Sequence, residues 1–142
     1  MKAQGLPIEY LAGFFDGEGS ICITGMGTKR KGAARLAVRC QVSNTNEAIV
    51  REFQRRWGGT VAERRQPAGS RRQWGWSISH RAGRAFLDEL VPHLFVKRRQ
   101  AEIARRFWLT CRVGVSITDE VAAEREALRI ELSDLNHGRS SA

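Results

Sequence analysis

The sequence predicts an α+β domain of order α-β-β-α-β-β-α, followed by further helices. Three observations carry that reading. Apolar and polar residues alternate with period two in three of four short candidate strands, which is the signature of half-buried strands. Each pair of such stretches is followed by an apolar stripe at helical spacing. Glycine-rich punctuation separates the units, notably Gly58-Gly59 and Pro67-Ala68-Gly69-Ser70. A chain of 142 residues is one domain, long enough to bury a core.

Pro7 suits a helix first turn, where a missing N–H does no harm. The helix it opens should run over about 7–17 and end at Gly17 or Gly19. Ile21 and Ile23 then share one strand face, opposite Ser20, Cys22 and Thr24. A second strand over 35–43 places Leu36, Val38, Cys40 and Val42 on one face. Arg35, Ala37, Arg39, Gln41 and Ser43 occupy the other. Asn44 and Glu47 fit a capping pair, opening a helix with Ile49, Val50, Phe53 and Trp57 on one stripe.

A second strand pair follows over about 60–66 and 72–79, with Trp74, Trp76 and Ile78 facing away from Gln73, Gly75 and Ser77. The tryptophans therefore belong to the core rather than to a stacking platform. Phe86, Leu90 and Leu94 mark a third helix; Ala104, Phe107, Trp108 and Cys111 mark a fourth. Val121, Leu128, Leu132 and Leu135 mark the last, over about 118–136, closed near Gly138. The two strand-strand-helix units, 20–57 and 60–95, echo each other without sequence identity. Helices should cover one face of the sheet, leaving the face with Arg, Gln and Ser open.

Net charge is +9, which points to a polyanion partner. The charge is uneven. Residues 24–84 hold fourteen Arg/Lys against three Asp/Glu, whereas residues 118–136 hold six acids against two bases. The first stretch suits phosphate and the last helix faces away from it. No apolar run of eighteen residues and no charged-then-apolar leader is present. The expectation is a cytoplasmic protein, or one of an organellar matrix if the gene is organellar. Cys22, Cys40 and Cys111 form no CxxC and read as small buried hydrophobes in a reducing compartment. His80, His93 and His137 are scattered and make no metal-ligand spacing.

The most informative segment is Leu11-Ala-Gly-Phe-Phe-Asp-Gly-Glu-Gly19. Gly13 and Gly17, four apart, leave one helix face without side chains, while Leu11, Phe14 and Phe15 anchor another. Two glycines in one short helix cost roughly 1 kcal/mol each relative to Ala. Either close packing within the chain or a self-pairing dimer would use the bare face. Glu18 at the helix end is, alone, a solvated acid. Paired about a two-fold axis, two copies would repel unless a hard cation such as Mg2+ neutralised them.

From Tyr10 to Ser20 the segment resembles, at nearly every position, the motif of the LAGLIDADG homing endonucleases. The resemblance implies motif helices forming the subunit interface, here Tyr10, Gly13, Asp16 and Gly17. It implies a divalent metal on Glu18, contacted also by the carbonyl of Gly17. That metal would be Mg2+ or Mn2+, with Ca2+ able to occupy the site without turnover. Asp16 matches the motif's first acid and reads as structural. One motif implies a homodimer. Less specifically, the likeness extends to about residue 100. Gln41-Val-Ser-Asn44 is similar to the segment whose last side chain orders active-site water, and Val96-Lys97-Arg98-Arg99-Gln100 to the segment bearing a catalytic lysine. Glu18, Asn44 and Lys97 are thus the implied catalytic set. Glu replaces the commoner Asp at the metal position, and Asn44 stands where the best-matching single-motif members have Gln.

The strands add a base-reading surface, since a two-stranded ribbon fits the DNA major groove. Thr24, Arg35, Arg39 and Gln41 in the first pair, and Arg64, Gln66, Gln73 and Ser77 in the second, should face bases. Arg suits guanine and Gln adenine. Lys29, Arg30, Lys31, Arg71 and Arg72 in the turns should hold phosphates. A β-saddle doubled by symmetry would span a long pseudo-palindromic double-stranded DNA target, cut on both strands for intron homing. The alternative is a catalytically silent DNA- or RNA-binding protein on the same scaffold, such as an intron maturase using intron RNA.

Overall fold

Period-two alternation becomes a four-stranded antiparallel sheet in the computed structural model, which describes residues 4–25, 36–64, 67–111 and 117–138. The strands are β1 (Gly19–Gly25), β2 (Leu36–Asn44), β3 (Thr60–Arg64) and β4 (Gln73–Ser79), in the order β1-β2-β4-β3. The helices are α1 (Ile8–Glu18), α2 (Glu47–Trp57), α3 (His80–Leu90), α4 (Arg98–Leu109) and α5 (Asp119–Asn136), with a 3-10 turn at Val91–His93. The sheet order places β1-β2-α2 and β3-β4-α3 as counterparts on either side of the β2/β4 seam. The expected element order and pseudo-repetition are therefore present.

One sheet face is core. Ile21 faces Cys40 and Cys40 faces Ile78, while Val42 faces Trp76, and all five are buried. Against them pack Leu11 and Phe15 of α1, Val50 and Phe53 of α2, and Phe86, Leu87 and Leu90 of α3. Phe86 joins three of the aromatics edge-on: its ring centroid lies 4.8 Å from Trp57, 5.0 Å from Trp76 and 5.1 Å from Phe15. Such edge-on pairs add about 0.5–1.5 kcal/mol each beyond their buried area. Trp76 also donates its indole N–H to the Gly58 carbonyl at 2.7 Å, so the tryptophan is core as expected.

Several local expectations are corrected. α1 ends at Gly19 as expected, but that glycine is extended (φ −83°) and leads directly into β1. A Cβ there would lie 2.3 Å from the Phe15 ring, so packing, not backbone conformation, demands glycine. The cap of α2 is Asn46, which accepts the Ile49 N–H at 3.2 Å, rather than Asn44. The reason is that β2 continues through Asn44, which pairs with Trp74. Gly58 and Gly59, both with positive φ, end α2 as expected. Leu94 falls beyond α3, because the turn containing Pro92 intervenes. Cys111 lies outside α4 and is exposed; Cys40 is buried and Cys22 partly so. Burial pushes the Cys22 and Cys40 thiols up.

α5 closes the β1 side. Thr118 caps it by accepting the Val121 N–H at 3.2 Å. Leu128 and Leu132 are buried, and Asn136 donates its amide to the Ile21 carbonyl on the edge strand at 2.8 Å. Arg125 lies over the Phe107 ring and bonds Thr110, and Arg106 meets Glu131 at 3.4 Å. Glu131 is thus directed at α4, while Glu126 pairs within α5 with Arg129. No described helix is long and apolar enough to cross a membrane.

Candidate active site and nucleic-acid interface

α1 divides into two sides. Leu11, Ala12 and Phe15 are fully buried. Tyr10, Gly13 and Gly17 are exposed, and a Cβ built on either glycine meets nothing within 4 Å. The bare face therefore looks away from the rest of the described chain. Beside its C-terminal end sit Phe95 and Val96, 86% and 65% exposed. Sequence reasoning missed these two. Their signal was an apolar pair directly before Lys97 that belongs to no helical stripe.

Asp16 joins the two segments from within. Its carboxylate accepts the backbone N–H of Phe95 (3.0 Å), Val96 (2.8 Å) and Lys97 (2.8 Å). The Lys97 ammonium in turn donates to the Asp16 carbonyl at 2.6 Å. Burial pushes the Asp16 carboxyl up, but the three N–H donors and the nearby Lys97 charge outweigh it and hold the carboxyl below its usual 3.8. The carboxylate was expected on the pairing face. It is buried instead and turned toward its own chain, because three amides ahead of α4 need an acceptor. The structural role read from the motif accords with this arrangement.

Glu18, two residues on, is the opposite case. It is the last residue of α1 and exposed, and its carboxylate has no hydrogen bond or ion pair among the described residues. No group of three His, Cys, Asp or Glu that could hold a metal occurs among the described residues of one chain. An unpaired carboxylate at a helix end with free carbonyls fits a hard divalent cation in donor chemistry, though a single chain offers only part of a ligand set. Lys97 is fixed at the same helix end by its bond to Asp16.

Asn44 ends β2. Because Gly19 faces Val42 in register, Asn44 emerges at the sheet end where α1 passes into β1. Its side-chain oxygen accepts the Asn46 N–H at 2.8 Å. The free part of the amide is therefore its NH2, a donor.

The second sheet face carries no described helix. Register aligns Ser20, Gln41, Ser77 and Thr60 in one row across all four strands. The Thr60 and Ser77 hydroxyls lie 3.2 Å apart. Cys22, Arg39 and Ser79 form the neighbouring row. Arg64 reaches from β3 to the Gln41 side-chain oxygen at 3.4 Å. Thr24, Arg39 and Arg64 are exposed, and Gln73 and Ser77 partly so. Ala37, assigned to this face by parity, is buried. Arg71 is exposed in the β3–β4 loop, and Arg72 meets Glu63 at 3.2 Å with both side chains largely solvated, a contact worth about 0–1 kcal/mol. Lys29, Arg30, Lys31, Arg35 and Gln66 lie outside the described residues.

No family model and no curated protein matches the sequence. Solved structures do. The chain superposes on the homing endonuclease I-CvuI, solved with its DNA target, at a TM-score of 0.75 and 22% identity, covering 90% of this chain and 80% of that one. It superposes on the archaeal intron-encoded I-Vdi141I, complexed with DNA, at 0.73 and 20% identity, covering 92% and 90%. This is the LAGLIDADG homing endonuclease fold. The LAGLIDADG protein I-SmaMI, bound to cleaved DNA, matches at 0.71 and 14% identity over 94% of this chain but 45% of its own length. The present chain thus spans less than half the length of that protein.

On the LAGLIDADG scaffold the expected residues sort into two places. Gly17, Glu18 and Lys97 share the C-terminal end of α1, with Asn44 at the adjoining sheet end. Thr24, Arg39, Gln41, Arg64, Gln73 and Ser77 share the open sheet face.

Proposed function

We propose that the protein is a site-specific, divalent-metal-dependent DNA endonuclease that works as a homodimer. The observation that carries this reading is the exposed, unpaired Glu18 at the end of a bare-faced helix, with Lys97 held at the same helix end. Two copies would pair through Tyr10, Gly13 and Gly17, extended by Phe95 and Val96. Burying those side chains removes an exposed apolar patch. Pairing brings the two Glu18 carboxylates together, and a cation offsets their repulsion.

Glu18 and the Gly17 carbonyl would hold that cation, Mg2+ or Mn2+, which when bound polarises the scissile phosphate and acidifies water. The chain's own groups do the rest. The Lys97 ammonium would stabilise charge developing on phosphate oxygen. The Asn44 NH2 donates to water or phosphate and cannot accept a proton, so it orients rather than deprotonates. The polar sheet face binds a half-site, and symmetry supplies the second, so both strands of a long pseudo-palindrome are cut. I-CvuI was solved with Ca and with Mg, in keeping with divalent-metal use here.

A DNA- or RNA-binding protein without cleavage, such as a maturase, is the second reading. The free Glu18 favours the nuclease, because binding alone gives an unpaired acid beside DNA only repulsion. Incubation of the purified protein with a randomised duplex library and Mg2+, sequencing both new ends and bound molecules, separates the two. Recurrent double-strand ends at one pseudo-palindrome are expected. Enriched bound DNA without ends would replace the nuclease by the binding protein.

A further inference from the structure

We propose that Arg64, Gln41 and Gly75 form one base-reading unit that selects guanine in each half-site. The inference rests on the reading of the open sheet face as a DNA-binding surface and adds the base it prefers.

Arg64 stands on edge strand β3 and faces Gln73 in register, whereas Gln41 stands on β2 and faces Ser77. To bring its Nη2 to 3.4 Å from Gln41 Oε1, the Arg64 side chain crosses β4. Gly75 makes the crossing possible. A Cβ at Gly75 would lie 2.7 Å from Arg64 Nε, 3.5 Å from Cδ and 3.6 Å from Cγ. Gly75 is not among the glycines with positive φ, so its backbone conformation does not require glycine. A glycine inside a strand weakens it unless something must approach closely. Here the approaching group is the Arg64 side chain.

The contact decides which way Gln41 presents its amide. A guanidinium has only donors, so the Gln41 oxygen turns to Arg64 and its NH2 is left for DNA. A free glutamine reads adenine with one donor and one acceptor. The coupled pair offers N–H groups only. Guanine shows two acceptors, N7 and O6, in the major groove, whereas adenine and cytosine each add an amino donor that would meet another donor. The pair therefore suits guanine and disfavours adenine, the opposite of Gln41 taken alone.

Binding selection from a randomised duplex library, in Ca2+, with the wild type, Arg64→Ala and Gly75→Ala tests this. The wild type is expected to prefer guanine over adenine at one symmetric position of each half-site by about five- to a hundredfold, the usual range for a bidentate contact. Arg64→Ala should free Gln41 and move that position toward adenine, leaving the others unchanged. Gly75→Ala should move it the same way by lifting Arg64. Base profiles identical in all three proteins, or a wild type without the guanine preference, would overturn the inference while leaving the DNA-binding reading intact. A wild type that selects no duplex at all would overturn the DNA-binding reading, and this inference with it. Should Gly75→Ala fail to fold, Arg64→Ala alone decides.

Discussion

Asp16 and Glu18 stand two residues apart in one helix and do opposite things. Asp16 is buried and both its carboxylate oxygens accept amides of its own chain. Glu18 is exposed and bonded to nothing described. The helix turns one acid inward, onto the amides ahead of α4, and the other outward to solvent. The contrast teaches that an acidic motif position is assigned by where its lone pairs go, not by its charge.

The contrast can be broken from either side. Glu18→Gln has the largest expected effect on function. Cleavage should vanish while DNA affinity stays within several-fold and the melting temperature barely moves. A cutting Glu18→Gln protein would end the metal-ligand assignment. Asp16→Ala has the largest expected effect on stability. It leaves three N–H groups near α4 without their acceptor, at roughly 2–4 kcal/mol from lost charge-assisted hydrogen bonds, read by denaturant unfolding.

Acid unfolding sharpens the same point. The folded Asp16 carboxyl sits below 3.8, so its contribution is fully present above 3.8 and is lost as pH falls through the folded value. Asp16→Asn should flatten that acid limb of the stability curve. An unchanged limb would mean that the three amides do not favour the charged form.

On the bare face of the helix, Gly13→Ala should act in two directions. Helix propensity favours the isolated chain by roughly 1 kcal/mol, and nothing within 4 Å opposes the added methyl. Self-association should weaken, as read by sedimentation over a concentration series. Tighter association would mean that the face is not used for close helix pairing. Arg72→Ala is the smallest expected effect, within about 0.5 kcal/mol of wild-type stability, with a slight loss in the salt dependence of DNA binding.

The sequence made the periodic parts of this molecule legible. Alternation places Ile21, Cys40, Val42, Trp76 and Ile78 on one face, and the structure buries all of them. The motif helix and its bare glycine face are legible because they are local. What was not legible depends on contacts distant in sequence. Asp16 lies four residues from Ala12, on the buried stripe, but its partners are about eighty residues away. Asn44 and Asn46 are equally good caps in isolation, and only the length of β2 decides between them. The Arg64–Gln41 contact requires that β4 lie between their strands, and that sheet order is not written in any local pattern. Cys111 fits the apolar stripe of α4, yet the helix stops at Leu109, before reaching it.

The central claim is that one chain carries half of a site, with Glu18 waiting at an open helix end for its copy. The most direct test is the stoichiometry of the protein on its selected duplex, by native mass spectrometry in Ca2+, followed by strand-resolved cleavage after exchange into Mg2+. Two chains per duplex and cleavage of both strands is the predicted result. One chain per duplex, with double-strand cleavage intact, would contradict the account.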